Sequence, residues 1–240
     1  MRSLLAAIIV VGLALAVWAG PARAGDIVTM PTANQLGAGE VDLAQYHIWF
    51  RYPPGSGAPT HAWFSTMYVG VTDRVEVDVW YINPNKQPSQ TVINATGLLT
   101  SQRKGDYADV VVGIRDLGDS LERLFPPAGN HFERSVFVAA AKTLNPPPGP
   151  PTKHDMPIWR AHLGVGTSLG LGTNLDRVGD GGVFGGLQVL VTPQIGAIAL
   201  WDGTDDIIGL TYTRKPDWPT IKGGVFGDHW WIGVNYTFKR

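Results

Sequence analysis

The side chains in this sequence that could do chemistry are spaced in ways that argue against a reaction centre. The six histidines, His47, His61, His131, His154, His162 and His229, show no metal-ligand spacing such as H-x-x-x-H. "GVGTSLGLG" at 164–172 has the glycine density of a nucleotide loop. Such a loop needs a helix behind it, and a polar loop follows here. No G-x-S-x-G is present, and nothing marks a Ser–His–Asp set. Asp202, Asp205 and Asp206 in "WDGTDD", with Asp176 and Asp180 in "NLDRVGDGG", carry oxygens of the kind a hard cation such as Ca²⁺ takes. Asp-Gly pairs are also ordinary turn chemistry, and the turn reading is the stronger one. The expectation is a non-enzymatic protein with no catalytic, metal or cofactor site.

Charged residues interleaved with apolar ones are the better candidates. In 74–82, Val75, Val77, Val79 and Tyr81 share one face of a strand, and Glu76, Asp78 and Trp80 share the other. In 108–115, Ala108, Val110, Val112 and Ile114 oppose Asp109, Val111, Gly113 and Arg115. In 159–172, Trp159, Ala161, Leu163, Val165, Leu169 and Leu171 alternate with Arg160, His162, Gly164, Gly166, Gly170 and Gly172. If the apolar faces meet lipid, then Glu76, Asp78, Asp109, Arg115, Arg160 and His162 face a lumen. There they would pair in a structural network or, around a pore, set selectivity. Arg134 is a further candidate for that set. His162 beside Arg160 suits a hydrogen-bonded interior residue.

The elements that must position these residues are strands. Twelve are expected, near 39–50, 61–71, 74–83, 91–100, 107–116, 133–144, 159–171, 182–192, 194–202, 206–214, 219–227 and 229–238. The first and eleventh carry the weakest alternation, and ten strands is the alternative count. Between them lie Pro/Gly-rich turns such as "YPPGSGAP" and "NPPPGPP", the latter stiff enough to cover one mouth. Asp119 and Glu122 would cap a short helical turn. The last strand, "HWWIGVNYTFKR", presents Trp230, Ile232, Val234, Tyr236 and Phe238 on one face.

Composition and the N-terminus narrow the class. Arg2, the apolar run from Leu4 to Trp18 and the A-x-A pattern at Ala22–Ala24 form a secretory signal peptide spanning 1–24, leaving 25–240 as one domain. Processing removes Arg2 and Arg23, so the 19 basic residues become 17 against 20 acidic ones. That balance excludes a nucleic-acid binder. With no Cys, neither disulfides nor a lipoprotein anchor is expected. No later run is long enough for a membrane helix, which does not argue against β-strands of about 9–11 residues crossing instead. The fold expected is an all-β antiparallel transmembrane β-barrel of 10–12 strands. A soluble lectin-like β-sandwich, binding glycans through exposed Trp residues, is the alternative. Small inward residues would let a modest barrel close, so "GGVFGGLQVL" can mix glycine with apolar bulk. Among the nine Trp residues, Trp49, Trp63, Trp80, Trp159, Trp201, Trp230 and Trp231 are expected in interfacial girdles.

Three motifs in order resemble the YjbH-type outer-membrane proteins. They are "DIVTMPTANQLGAGEVDLAQYHIWF", then "YADVVVGIRDLGDS" with "ERSVFVAAAKTLN", then "GGVFGGLQVLVTPQIGAIALWDGTDDIIGLTY". Together they span residues 26 to 212. Two departures are the short length and the absence of the Cys found in the family's lipoprotein members; Trp201 also stands where a Tyr usually precedes Asp-Gly. The resemblance implies an outer-membrane barrel associated with exopolysaccharide production or export in Gram-negative bacteria. Its expected partners are outer-membrane lipid, the barrel assembly machinery and polysaccharide or polysaccharide-export proteins.

Overall fold

Period-2 alternation can bury one face of a segment only if the segment is extended, and the segments then need partners for every backbone amide. The computed structural model meets both demands with a single sheet. It describes residues 33–52, 59–118, 135–146, 153–168, 182–201, 206–215 and 218–238. The strands are β1 (Val41–Trp49), β2 (His61–Thr72), β3 (Val75–Pro84), β4 (Gln90–Thr100), β5 (Asp109–Arg115) and β6 (Ser135–Thr143). They continue as β7 (Ile158–Ser168), β8 (Val183–Leu190), β9 (Ile195–Trp201), β10 (Asp206–Thr213), β11 (Thr220–Phe226) and β12 (His229–Phe238). Each pairs antiparallel with the next, and β1 closes on β12 from Val41 against Phe238 to Trp49 against Trp230. The result is a closed twelve-stranded barrel without an edge. Closure rules out the two-sheet sandwich. The expected strand bounds agree closely with these. The signal-peptide residues, the 119–124 turn, residues 147–152 of the proline segment and the 176–180 acidic turn lie outside the described residues.

Because the strand number is even, β1 begins and β12 ends at one rim, here the terminal rim; the other is the far rim. Exposure is inverted relative to a water-soluble protein. Leu163 is 64 % exposed while its neighbour His162 is 5 % exposed. The same inversion holds along β3, where Val75 is exposed and Glu76 and Asp78 are buried. Val112, Val138, Leu187, Ile208, Leu210, Ile221 and Ile232 continue the apolar outer wall. Exposed Trp49, Trp63, Trp201 and Trp230 sit toward the far rim, and Trp159 and Tyr212 toward the terminal rim. An apolar band between aromatic girdles is how a barrel meets a bilayer.

Two of the expected girdle residues are elsewhere. Trp80 and Trp231 point inward and are 1 % and 2 % exposed. The physical reason is register. Each occupies the same alternating set as the lumenal residues of its strand, Glu76–Asp78–Trp80 on β3 and Trp231–Gly233–Asn235 on β12.

The inward glycines let the barrel close in a specific way. They are seats for aromatic rings. A Cβ on Gly113 would strike Phe137, on Gly164 Phe184, and on Gly233 Tyr46, each on the residue paired directly across the next strand. Bare backbone on one strand thus lets a neighbouring ring lie flat along the inner wall. Gly186 in "GGVFGGLQVL" has φ 147, and a Cβ there would meet the β9 backbone at Leu200. Glycine is required there on both counts.

Candidate functional site

The lumen divides along the barrel axis. Toward the far rim it is packed with Tyr46, Ile48, Phe64, Trp80, Ile82, Leu200, Ile207, Phe226 and Trp231, all buried in one cluster. The Tyr46 and Trp231 rings meet edge-on at 6.3 Å, as do those of Phe137 and Phe184. Toward the terminal rim polar side chains join apolar ones on the inner wall, and together they surround a cavity of about 790 Å³. That volume lies within the range of small-molecule sites.

An element absent from the sequence reading forms one wall of this cavity. Residues 33–37 run inside the barrel, with Ala33 and Leu36 each 2 % exposed. The Leu36 amide donates to Glu76 Oε2 at 2.8 Å, and Gln35 Nε2 donates to the Thr96 carbonyl at 3.2 Å. Gly70 has no room for a Cβ because the Gly37 carbonyl lies against it. Arg160 anchors the same segment: its Nε donates to Asn34 Oδ1 at 2.7 Å. Its two remaining nitrogens reach Thr143 Oγ1 at 3.0 Å and Asp109 Oδ2 at 2.8 Å. Asp109 in turn accepts from the Gln102 amide, and Gln102 exchanges two hydrogen bonds with the Thr143 backbone. One guanidinium therefore ties the N-terminal segment to β5, β6 and β7.

The six lumen candidates are spread along the inner wall. Asp109 and Arg160 form the ion pair at the terminal rim, while Glu76 grips the inserted segment. Asp78 accepts from Asn94 Nδ2, and Asn94 Oδ1 accepts from the Asp116 amide at 2.8 Å, bracing β3, β4 and the end of β5. Arg115 lies with its guanidinium 5.5 Å from the centre of the Trp80 ring, at the far end of β5. His162 is buried, with Gln188 and Arg160 beside its ring. Arg134 lies outside the described residues. The set therefore does not gather around one point.

Asp42, Lys222 and Asn235 were missed and are all buried inside the same half of the barrel. Asp42 Oδ2 accepts from Asn235 Nδ2 at 3.1 Å and from Thr237 Oγ1 at 2.9 Å. The signal was available in the alternation: Thr220, Lys222, Gly224 and Phe226 oppose Ile221, Gly223 and Val225 on β11. Among the described residues no group of three or more His, Asp or Glu side chains is placed to hold a metal ion. Asp206 opens β10 as an exposed residue.

The far-rim girdle has its own geometry on the outer wall. His47 lies 4.1 Å from both the Trp49 and Trp63 ring centres, and Arg51 sits 5.9 Å from that of Trp230. This is an outer-membrane-type barrel.

No family model matches the chain, and no curated protein matches it. Among solved structures, it is similar to the N-terminal β-barrel domain of Pseudomonas aeruginosa OprF. The identity is 12 %, the match covers 85 % of this chain and 100 % of that one, and the TM-score is 0.26. The fold stands on the strand ladder and not on that likeness.

Proposed function

We propose that the protein is a non-enzymatic barrel of the bacterial outer membrane, exported by its 1–24 signal, and an accessory to exopolysaccharide production or secretion rather than a conduit. The observation that carries this reading is an apolar, aromatic-girdled outer wall around a lumen packed solid toward one rim. A polymer needs a continuous wide path, whereas a twelve-stranded barrel lies below the 16–18 strands usual for open channels. The polysaccharide connection is supported by the order of the YjbH-type motifs. With the start of β1 and the end of β12 at one rim, the arrangement of single-chain bacterial barrels puts the terminal rim and its cavity toward the periplasm. Partners on that reading are outer-membrane lipid, the barrel assembly machinery and polysaccharide-export proteins.

Two experiments test it. Membrane fractionation with N-terminal sequencing should recover a heat-modifiable outer-membrane protein beginning at Gly25; a soluble periplasmic product would end the membrane reading. Deletion of the gene should lower released exopolysaccharide, with recovery on complementation. Unchanged polymer in the deletion strain would remove the polysaccharide role and leave the barrel.

A further inference from the structure

Lys222 is a buried lumen cation with no direct partner among the described residues. It faces inward from β11, is 6 % exposed and lines the terminal-rim cavity. Its ammonium makes no hydrogen bond or ion pair with any described residue. Burying a cation without a direct partner is costly, so the cost calls for an explanation. Asp42 is within electrostatic reach, but its Oδ2 is engaged by Asn235 and Thr237, and the ammonium stops short of contact. Arg160, another cation lining the cavity, already donates to Asn34, Thr143 and Asp109.

Uncharged polar groups share this wall: Asn235, Thr211 and Gln188 line the same cavity as Lys222. A ligand that matches the wall must therefore bring an anionic acceptor for the ammonium and hydroxyl groups that donate to and accept from the amides and the threonine. The nearby carboxylate disfavours a dianion, so one negative charge fits better than two.

The geometry points to a binding site for a small polyhydroxy carboxylate, of the acidic-sugar type, in the terminal-rim cavity, with Lys222 as its charge partner. The cavity of about 790 Å³ is large enough for a monosaccharide or disaccharide. This site rests on the lumen alone and holds whether or not the barrel serves polysaccharide export.

The test uses the mature chain folded in detergent micelles and titrated separately with galacturonate, galactose and inorganic phosphate, followed by backbone amide shifts. Galacturonate should give saturable shifts on β10, β11 and β12, with galactose at least ~10-fold weaker, as expected for losing a charge-assisted contact. Lys222→Met should remove the preference for galacturonate over galactose. Thr211→Val, which leaves the charge in place, should weaken both sugars and keep the preference. Arg51→Met on the outer wall should change neither. Equal binding of the two sugars, no saturable shift, or a preference that survives Lys222→Met would each overturn the site. Phosphate binding as tightly as galacturonate would also overturn it, by showing a general anion site.

Discussion

The two halves of the lumen solve the same problem in opposite ways. Toward the far rim, inward glycines and inward aromatics are paired across adjacent strands, and apolar contact fills the space. Toward the terminal rim, the strands carry Asp42, Glu76, Asp109, Arg160 and Lys222, which need polar partners and leave a cavity. A ring can be accommodated by removing a Cβ from its neighbour, whereas a charge demands a partner and room around it. Apolar side chains thus pack the lumen toward one rim, and the inserted N-terminal segment narrows it toward the other.

The largest effect should come from emptying the packed half. Trp231→Ala should cost about 3–5 kcal/mol in urea unfolding of the micelle-bound protein. Thr211→Val in the polar half should stay within about 1 kcal/mol. Similar costs at the two sites would erase the contrast. Next is the outer wall: Leu163→Arg should cost about 2–4 kcal/mol in vesicles if it lies near the bilayer midplane. A neutral result there would mean that β7 does not face lipid.

A smaller loss is expected where ring and glycine meet. Gly233→Ala drives a methyl into Tyr46 and should cost about 1–3 kcal/mol through overpacking. Arg160→Met probes the polar half, where hydrogen bonds to a charged group, here partly exposed, are each worth about 1.5–3 kcal/mol before solvent screening. Its sharper readout is limited proteolysis, which should cut around residues 33–37 faster once the Asn34 tether is gone. Unchanged cleavage would show that Glu76 and Thr96 hold the segment alone. The smallest signal should be electrical. Purified monomer in planar bilayers should give small or absent conductance, and stable large openings that pass oligosaccharides would contradict the packed far half.

Much of the fold could be read from local pattern, and the reason is visible in particular strands. Alternation on β3 and β7 is strong because every second residue is apolar, so strand, face and inward charge follow together. β1 and β11 read weakly for physical causes that the structure makes plain. β1 places Gln45 and His47 on its outer face, the former paired with Ser65 and the latter stacked on Trp63. β11 carries Gly223 and Gly224 where bulk is expected, Gly224 because the Ile208 carbonyl lies against it. These two strands supply Asp42 and Lys222, so the weakest pattern concealed the most informative charges. Trp80 and Trp231 lie near strand ends, but the face on which they alternate places them inside.

The sequence by itself determined the strand segments, their two faces and an inside that carries charge, since a two-residue period is a local property of the chain. Which inward residues meet was decided only by closure. Arg160 reaches Asn34 across a separation of 126 residues, and Leu36 reaches Glu76 across 40. No local pattern encodes such contacts, because they depend on where twelve registers place each side chain around one ring. The packed far half, the inserted segment and the burial of Lys222 all arise at that level. A closed hydrogen-bond ladder holds the walls in place, and what remains inside must fit the space those walls leave.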